Sequence, residues 1–580
     1  MPKVSQYELD RAANIARNRA ILEELELRQA VGDLGIPKPK AAPKTKAKPI
    51  QPSRRIKRER SEPDAPRRQS SRLKKGAADL NESPEEKKQR EAEMEEQRAK
   101  EAEERLEAEE RARIAKRPRH HALHLSTLAE EHEAEELSTL STALGTVAQS
   151  AQPKRIGDPE AFTFDNEKKE NVVVSELRER LQPLKIVSRA KVTQNRVYSA
   201  AYHPEVSKDL IFFGDKHGQL GIWDARAPAE EVADEDGDVT MMDREGGKYW
   251  RLQLHWPASP KSSISCIKFD PIDSHNIYTS SYDCTIRSLS FTSGVSRELY
   301  SSSDGVLITS IDLTPTGHEV WMSDSQGGAT HLDIREDQRK ARCYGLSDQK
   351  IGCISINPTR PHFLLTASNS RSLKIWDARK LQHLAADLSN VAPANPQTPS
   401  DTSGTDDVRH VPHEFDAAAI AEFLETKQGK SCLRAEWRHD RSVSSAYWDP
   451  RGRAIVSTSY DDNLRLWDIE SSILESSLPF PSSRPFSRLH HNCQTGKWLT
   501  ILRAQWSPNP DVFPHFTIGN MNHSLDIYSC KGDLLASLAD PERVSAVQAV
   551  TCSHPNIVER AASGNASGRC VLWSSPDRSD

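Results

Sequence analysis

The sequence predicts an all-β fold, a seven-bladed β-propeller preceded by a largely disordered, partly helical N-terminal tail. Two observations carry this expectation. A strand-like octet ending in proline recurs seven times after residue 186, and a second strand ending in an aromatic residue or its substitute follows each copy. Composition then separates this array from what precedes it. Over 580 residues the hydrophobic types make up 36% and the charged types 28%. A globular domain has roughly 45–50% and 25%, so part of the chain lacks the material for a core.

The octets read VYSAAYHP to Pro204, ISCIKFDP to Pro271, ITSIDLTP to Pro315, IGCISINP to Pro358, VSSAYWDP to Pro450, ILRAQWSP to Pro508 and QAVTCSHP to Pro555. Their alternation is that of a half-buried strand closed by proline. About 18–20 residues later come LGIWDAR (Trp223), TIRSLSF (Leu289), ATHLDIR (Leu332), LKIWDAR (Trp376), LRLWDIE (Trp467), LDIYSCK (Tyr528) and CVLWSSP (Trp573). Self-similarity at this period, with Trp-Asp retained in three units, is the WD-repeat signature. A four-stranded unit cannot bury both faces alone, and radial stacking solves that. The propeller is expected over residues 185–576. KIVSRAKVT, from Lys185 to Thr193, is available as the outer strand of the last blade, which would close the ring and remove an exposed edge. Insertions near 227–260 and 385–432 break the period. The first carries the acidic AEEVADEDGDVTMMDREGG and the second APANPQTPSDTSGTDD; both are expected as surface loops.

The tail divides by composition. Residues 1–30 hold a helical pattern, with Leu9, Ala12, Ala13, Ala16, Ala20, Leu22 and Leu25 on one broad face. It is either an isolated helix or one that orders on a partner. Residues 31–83 form a basic linker, expected to be disordered; between 34 and 75 there are 15 Lys or Arg against 3 acidic residues. RRIKRER, from Arg54 to Arg60, fits a nuclear import signal or a phosphate-binding arm. Over 84–119 Glu and Arg recur four apart, acid first, which suits a charged solvent-exposed helix. Residues 120–184 read as a loose linker.

No phosphate loop, nucleophile elbow or HExxH motif occurs, so no enzymatic activity is expected. None of the nine cysteines forms a CxxC pair, and neither a metal nor a cofactor is expected. No apolar run is long enough to span a membrane. The candidate chemistry lies instead on one face of the disc, where inner strands begin. There the residues are repeatedly basic: Arg196, Lys261, Lys350, Arg441, Lys497 and Arg543. Neighbouring turns add Lys216, Tyr282, Arg287, Arg371, Tyr460, Arg465 and His523. A basic ring with interleaved tyrosines suits a phosphate backbone, the aromatics stacking on or wedging between bases. The plainer reading is ordinary solvated turns, and Arg287 and Arg465 also hold a strand position that WD repeats often fill with a basic residue for structural reasons. Asp283 and Asp461, in TSSYDCTIR and STSYDDNLR, are expected to hold their turns together. Two strands end in WDAR, at Arg226 and Arg379.

LLTASNSRSLKIWDAR, Leu364 to Arg379, resembles the WDxR box of substrate receptors for cullin-type ubiquitin ligases. That resemblance implies partner binding through Arg379 and Arg226. The alternative to a DNA binder is therefore a protein-interaction scaffold, either a ubiquitin-ligase substrate receptor or a chromatin adaptor. A further resemblance covers nearly the whole chain. SQYELDRAANIARNRAILEELEL (Ser5 to Leu27), the basic linker, the charged helix and a propeller with two T-S-x-Y-D segments occur in this order. The combination resembles the fungal DNA damage-binding WD-repeat family, related to the propeller subunit of the vertebrate UV-damaged-DNA-binding complex. The family implies a nuclear protein that binds single- and double-stranded DNA, prefers UV-damaged duplex and acts in genome maintenance.

Overall fold

A computed structural model describes residues 122–128, 134–147, 152–228, 246–256, 258–302, 306–384, 417–476, 480 and 484–575. The N-terminal helix, the basic linker and the charged helix expected from sequence lie outside these residues, as do the acidic run of the first insertion and the proline-rich run of the second. The repeats form seven antiparallel sheets of four strands each, one of them extended by a fifth strand. Six blades follow chain order. The seventh closes the ring as the sequence suggests, because Lys185–Lys191 pairs antiparallel with Arg569–Ser574. Both chain ends of the array are thereby locked into one sheet, which closes the ring.

Each inner strand starts on what we term the upper face and ends in its proline on the opposite, proline face. The residue before each proline closes the same turn. His203, Asp270, Thr314, Asn357, Asp449, Ser507 and His554 donate their backbone N–H to Leu210, Asn276, Glu319, Phe363, Ala454, His515 and Arg560. Proline holds its predecessor extended, which is the conformation this closure needs. The inner strands bury almost every residue, as in Ile351–Ile356 and Val443–Trp448. Small Ser, Ala, Gly and Cys side chains let them crowd the axis. Behind them Trp223, Trp376, Trp467 and Trp573 are fully buried.

The upper-face turn between second and third strands has one left-handed residue per blade: Gly218, Cys284, Gly327, Arg371, Asp462, His523 and Gly568. A Cβ on Gly218 would lie 2.2 Å from the His255 carbonyl oxygen, so glycine is required there. Four of the seven positions, Cys284, Arg371, Asp462 and His523, adopt the same conformation with a side chain. Asp283 and Asp461 hold such turns, accepting from the backbone N–H of Thr285 and Asn463. Burial alone would raise the Asp283 carboxyl. The adjoining His255 ring, 3.0 Å away, and the Thr285 donors outweigh burial and hold it below the usual carboxylate range.

Residues 120–184, expected to be loose, are in large part docked. Leu123–His124 adds the fifth strand to blade 2. Helix α1, Ala134–Val147, buries Leu140, Leu144 and Val147 against Leu210, Phe212 and Phe291. Helix α2, Glu167–Leu181, is capped by Asn166 and buries Val174, Leu177 and Leu181. Between the helices an extended strap crosses the proline face. Gln152 N–H donates to Ser274 Oγ at 3.2 Å, Lys154 N–H to Pro271 O at 2.7 Å and Gly157 N–H to Pro450 O at 3.0 Å. Asn556 Nδ2 donates to Gln152 Oε1 at 2.7 Å. The strap thus ties blades 2, 5 and 7 and floors the central channel. The insertions are also more ordered than expected. Lys248–Gln253 is the outer strand of blade 1, and 417–432 holds the helices Ala417–Glu425 and Lys427–Cys432.

Candidate nucleic-acid interface

The upper face gathers some of the expected residues and disperses others. At the channel mouth the Lys350 ammonium lies 5.4 Å from the Tyr282 ring centroid. Tyr282 meets Tyr198 edge to face at 6.4 Å. The Arg196 guanidinium stands 5.1 Å over Tyr198, donates to its hydroxyl at 3.0 Å, and donates to the Lys497 carbonyl oxygen at 3.0 Å. Blades 1, 2 and 4 therefore contribute to one contiguous run of cations and aromatic rings, which Arg196 ties to the backbone of the loop leading into blade 6. Lys261 and Arg441 are exposed on the same face. Arg441 lines a groove of about 860 Å³ between blades 4 and 5 with Arg371, Arg438 and Asp440. Tyr460 is half-buried, its hydroxyl 3.4 Å from Thr495 Oγ1.

Three expected contacts are corrected by their surroundings. Arg287 is 1% exposed; its guanidinium covers Trp256 at 4.7 Å and its Nε donates to Ser296 Oγ at 3.0 Å. Arg465 is 3% exposed and is held by Asp461, Asp440 and the Arg438 carbonyl. Both are internal struts, because a third-strand position in a four-stranded blade is covered by the next strand out. Arg543 stands away from the mouth, its Nη1 donating to Ile186 O at 3.3 Å on the outer strand of blade 7. The long segment between Leu538 and Val550 carries it outward, whereas Lys350 directly precedes its inner strand.

Two residues at the mouth escaped the sequence reading. Tyr198 sits at the β-bulge between Val197 and Ser199, where blades 2 to 5 carry Ser265, Thr309, Gly352 and Ser444. A bulge re-aims a side chain, and a tyrosine among small residues at that position was the available signal. Trp498 is 86% exposed, more than any other large hydrophobic side chain among the described residues. It lies in the loop that leads into blade 6, next to Lys497. That loop is pinned at both ends of its course. Gln494 Nε2 donates to Tyr460 O at 2.7 Å, and Thr500 Oγ1 bonds Val197 O. No sequence pattern distinguishes Trp498, because its loop has no period.

The WDAR arginines lie on the proline face. Arg226 is drawn into the fold, its Nε 2.6 Å from Asp209 and its Nη2 2.8 Å from Ser574 Oγ. Arg379 pairs with Asp377 through two bonds of 2.8 and 2.7 Å, yet its side chain stays 61% exposed. Among the described residues no three His, Cys, Asp or Glu side chains gather as metal ligands, and no helix is long and apolar enough to cross a membrane.

Comparison with known proteins agrees with this architecture. Residues 250–288, 341–377 and 430–468 match the family described as WD domain, G-beta repeat. A protein of Cryptococcus neoformans var. neoformans serotype D named DNA damage-binding protein CMR1 is 37% identical over 498 residues, 80% of this chain and 82% of its own. The protein of the same name in Mycosarcoma maydis is 30% identical over the full length of both chains. That of Neurospora crassa is 33% identical over 98% of each. With identity of this order sustained from end to end, the chain belongs to the fungal DNA damage-binding WD-repeat family.

Proposed function

We propose that the protein is a non-enzymatic, nuclear DNA-binding protein that takes single- and double-stranded DNA and prefers UV-damaged duplex. The observation that carries the reading is the run Lys350–Tyr282–Tyr198–Arg196, with the exposed Lys497 and Trp498 in the loop beside it, on the face that the strap leaves uncovered. Cations there meet phosphates, which position the duplex without reading sequence. The exposed indole stacks on or wedges beside a base that damage has already loosened, so less unstacking work is needed at a lesion. The basic segment 31–83 adds affinity that falls steeply with salt. The relatives' name, DNA damage-binding protein, supports the same reading.

Fluorescence anisotropy with matched intact and UV-irradiated duplexes tests it, using the full-length protein. Lys350→Glu should weaken binding to both duplexes and lower the salt slope by about 1. Trp498→Ala should cost about 1–3 kcal/mol on irradiated DNA and much less on intact DNA. Wild-type affinity in both variants at matched salt would refute the upper-face assignment. A second reading, a receptor for a cullin-type ligase or a chromatin adaptor, rests on Arg379, which is exposed on the proline face. Arg379→Ala would abolish adaptor pull-down while leaving DNA affinity unchanged.

A further inference from the structure

The central channel carries charge that the upper-face reading does not use. It encloses about 280 Å³, walled by the inner strands and floored by the strap. That is room for far more than a bridging water. Arg503 reaches across it from blade 6, its Nη1 3.5 Å from Ser265 O on blade 2. No acceptor among the described residues reaches its buried Nε. Its ionisable neighbours are the neutral phenols of Tyr447 and Tyr282 and the neutral thiols of Cys353 and Cys266, and no carboxylate among the described residues pairs with it. Arg503 replaces the small residues Ser199, Cys266, Ser310, Cys353 and Ser445 found at the third octet position of blades 1 to 5. The Lys268 ammonium lies 3.2 Å from Asp312 Oδ1, and Lys154 on the strap lines the same lumen.

The remaining charged groups on the wall are committed elsewhere. Arg155 pairs with Asp511, and Asp449 with Arg451 at 2.7 Å. Asp270 accepts from Ile272 N–H and the Tyr278 hydroxyl. Asp312 also accepts the Ile356 N–H at 2.8 Å. Three cations thus line the lumen, with Asp312 beside the two lysines and Asp270 held by neutral donors at the wall, and the guanidinium is the group without a carboxylate partner. A buried guanidinium without a counter-ion is costly. Its planar fork fits a tetrahedral oxyanion better than any other side chain does.

We propose that the channel is a binding site for a phosphate monoester, gripped by Arg503 from the wall and by Lys268 and Lys154 from below. Tyr198 and Tyr282 at the mouth provide rings against which the remainder of a nucleotide-sized ligand rests. The site shares the Tyr198 and Tyr282 rings with the upper-face run but takes its charge from different cations, so it stands whether or not that face binds DNA.

Isothermal titration of the full-length protein with inorganic phosphate, deoxyadenosine 5′-monophosphate and deoxyadenosine tests the site directly. Phosphate and the nucleotide should bind at one site per chain, and the nucleoside should not bind. Arg503→Gln should weaken binding about tenfold or more, and Arg503→Lys should restore part of it. Lys154→Gln, on the strap, should weaken binding severalfold and decides the matter if Arg503→Gln fails to fold. Displacement of the nucleotide by a 5′-phosphorylated strand, and not by a 5′-hydroxyl strand, assigns the site to a strand end. Displacement by neither assigns it to the free anion. The proposal fails if wild type gives no saturable heat up to about 10 mM ligand, or if folded Arg503→Gln and Lys154→Gln bind as wild type does.

Discussion

Arg371 separates charge from folding at the scale of a single residue. It occupies the left-handed turn position that Gly218, Gly327 and Gly568 fill in other blades, with φ 67°. A side chain there is strained by about 1–2 kcal/mol, while glycine loses more chain entropy on folding. The two effects nearly cancel, so Arg371→Gly should change unfolding free energy by less than about 1 kcal/mol. It also removes an exposed cation from the groove beside Arg441. Urea denaturation and anisotropy together should therefore give unchanged stability and weaker DNA binding. Unchanged affinity would remove the groove from the interface. Arg287 and Arg465 are poor targets for the same purpose. Each is buried against its own blade, and truncation would strand partners such as Glu298 or Asp461.

At the scale of elements, the two docked helices are the least expected feature. Leu177 is 4% exposed on α2 while Val172 on the same helix is 56% exposed. Leu177→Ala should cost about 2–5 kcal/mol through lost burial and a residual cavity, and Val172→Ala should cost little. Equal thermal midpoints for the two variants would mean that α2 is not docked. The physical reason that sequence missed this region lies in where its partners are. The apolar residues of α1 and α2 are sparse and meet blades far away in the chain. The strap has no period at all, because its N–H groups bond to carbonyls and a hydroxyl of separate blades. The blades were legible for the opposite reason. Their octets repeat, each pre-proline residue closes the same hairpin, and the closing strand Lys185–Lys191 carries its own alternation. The site was half legible: the cations that directly precede inner strands are where the spacing put them. Arg543 was misplaced because its connecting segment is long, and Tyr198 was hidden inside an octet otherwise read as core.

The whole propeller holds several histidines neutral, which sets its response to acid. Burial lowers His203, His515 and His554 from 6.5 to about 4, and burial lowers His439 to about 3. Above pH 6.5 both folded and unfolded chains leave these rings neutral. As pH falls from 6.5 towards 4 the unfolded chain gains protons that the folded chain refuses, so stability is lost across that window. Burial also lowers His362 and His491, while Asp215, raised by burial to about 6, and Asp224, also raised by burial, act in the opposite sense and are outnumbered. The thermal midpoint should fall steadily between pH 6.5 and 4, and a flat profile would contradict the burial of these rings.

The strap covers the proline face and the aromatic–cation run occupies the other, so the central claim concerns which face meets DNA. Hydrogen–deuterium exchange of the full-length protein, with and without UV-irradiated duplex, tests it most directly. We expect slowed exchange at 194–198, 260–264, 349–351 and 491–500, and none at the proline-face turns 204–209 and 271–276. Protection confined to those proline-face turns, or to residues before 120, would contradict the account.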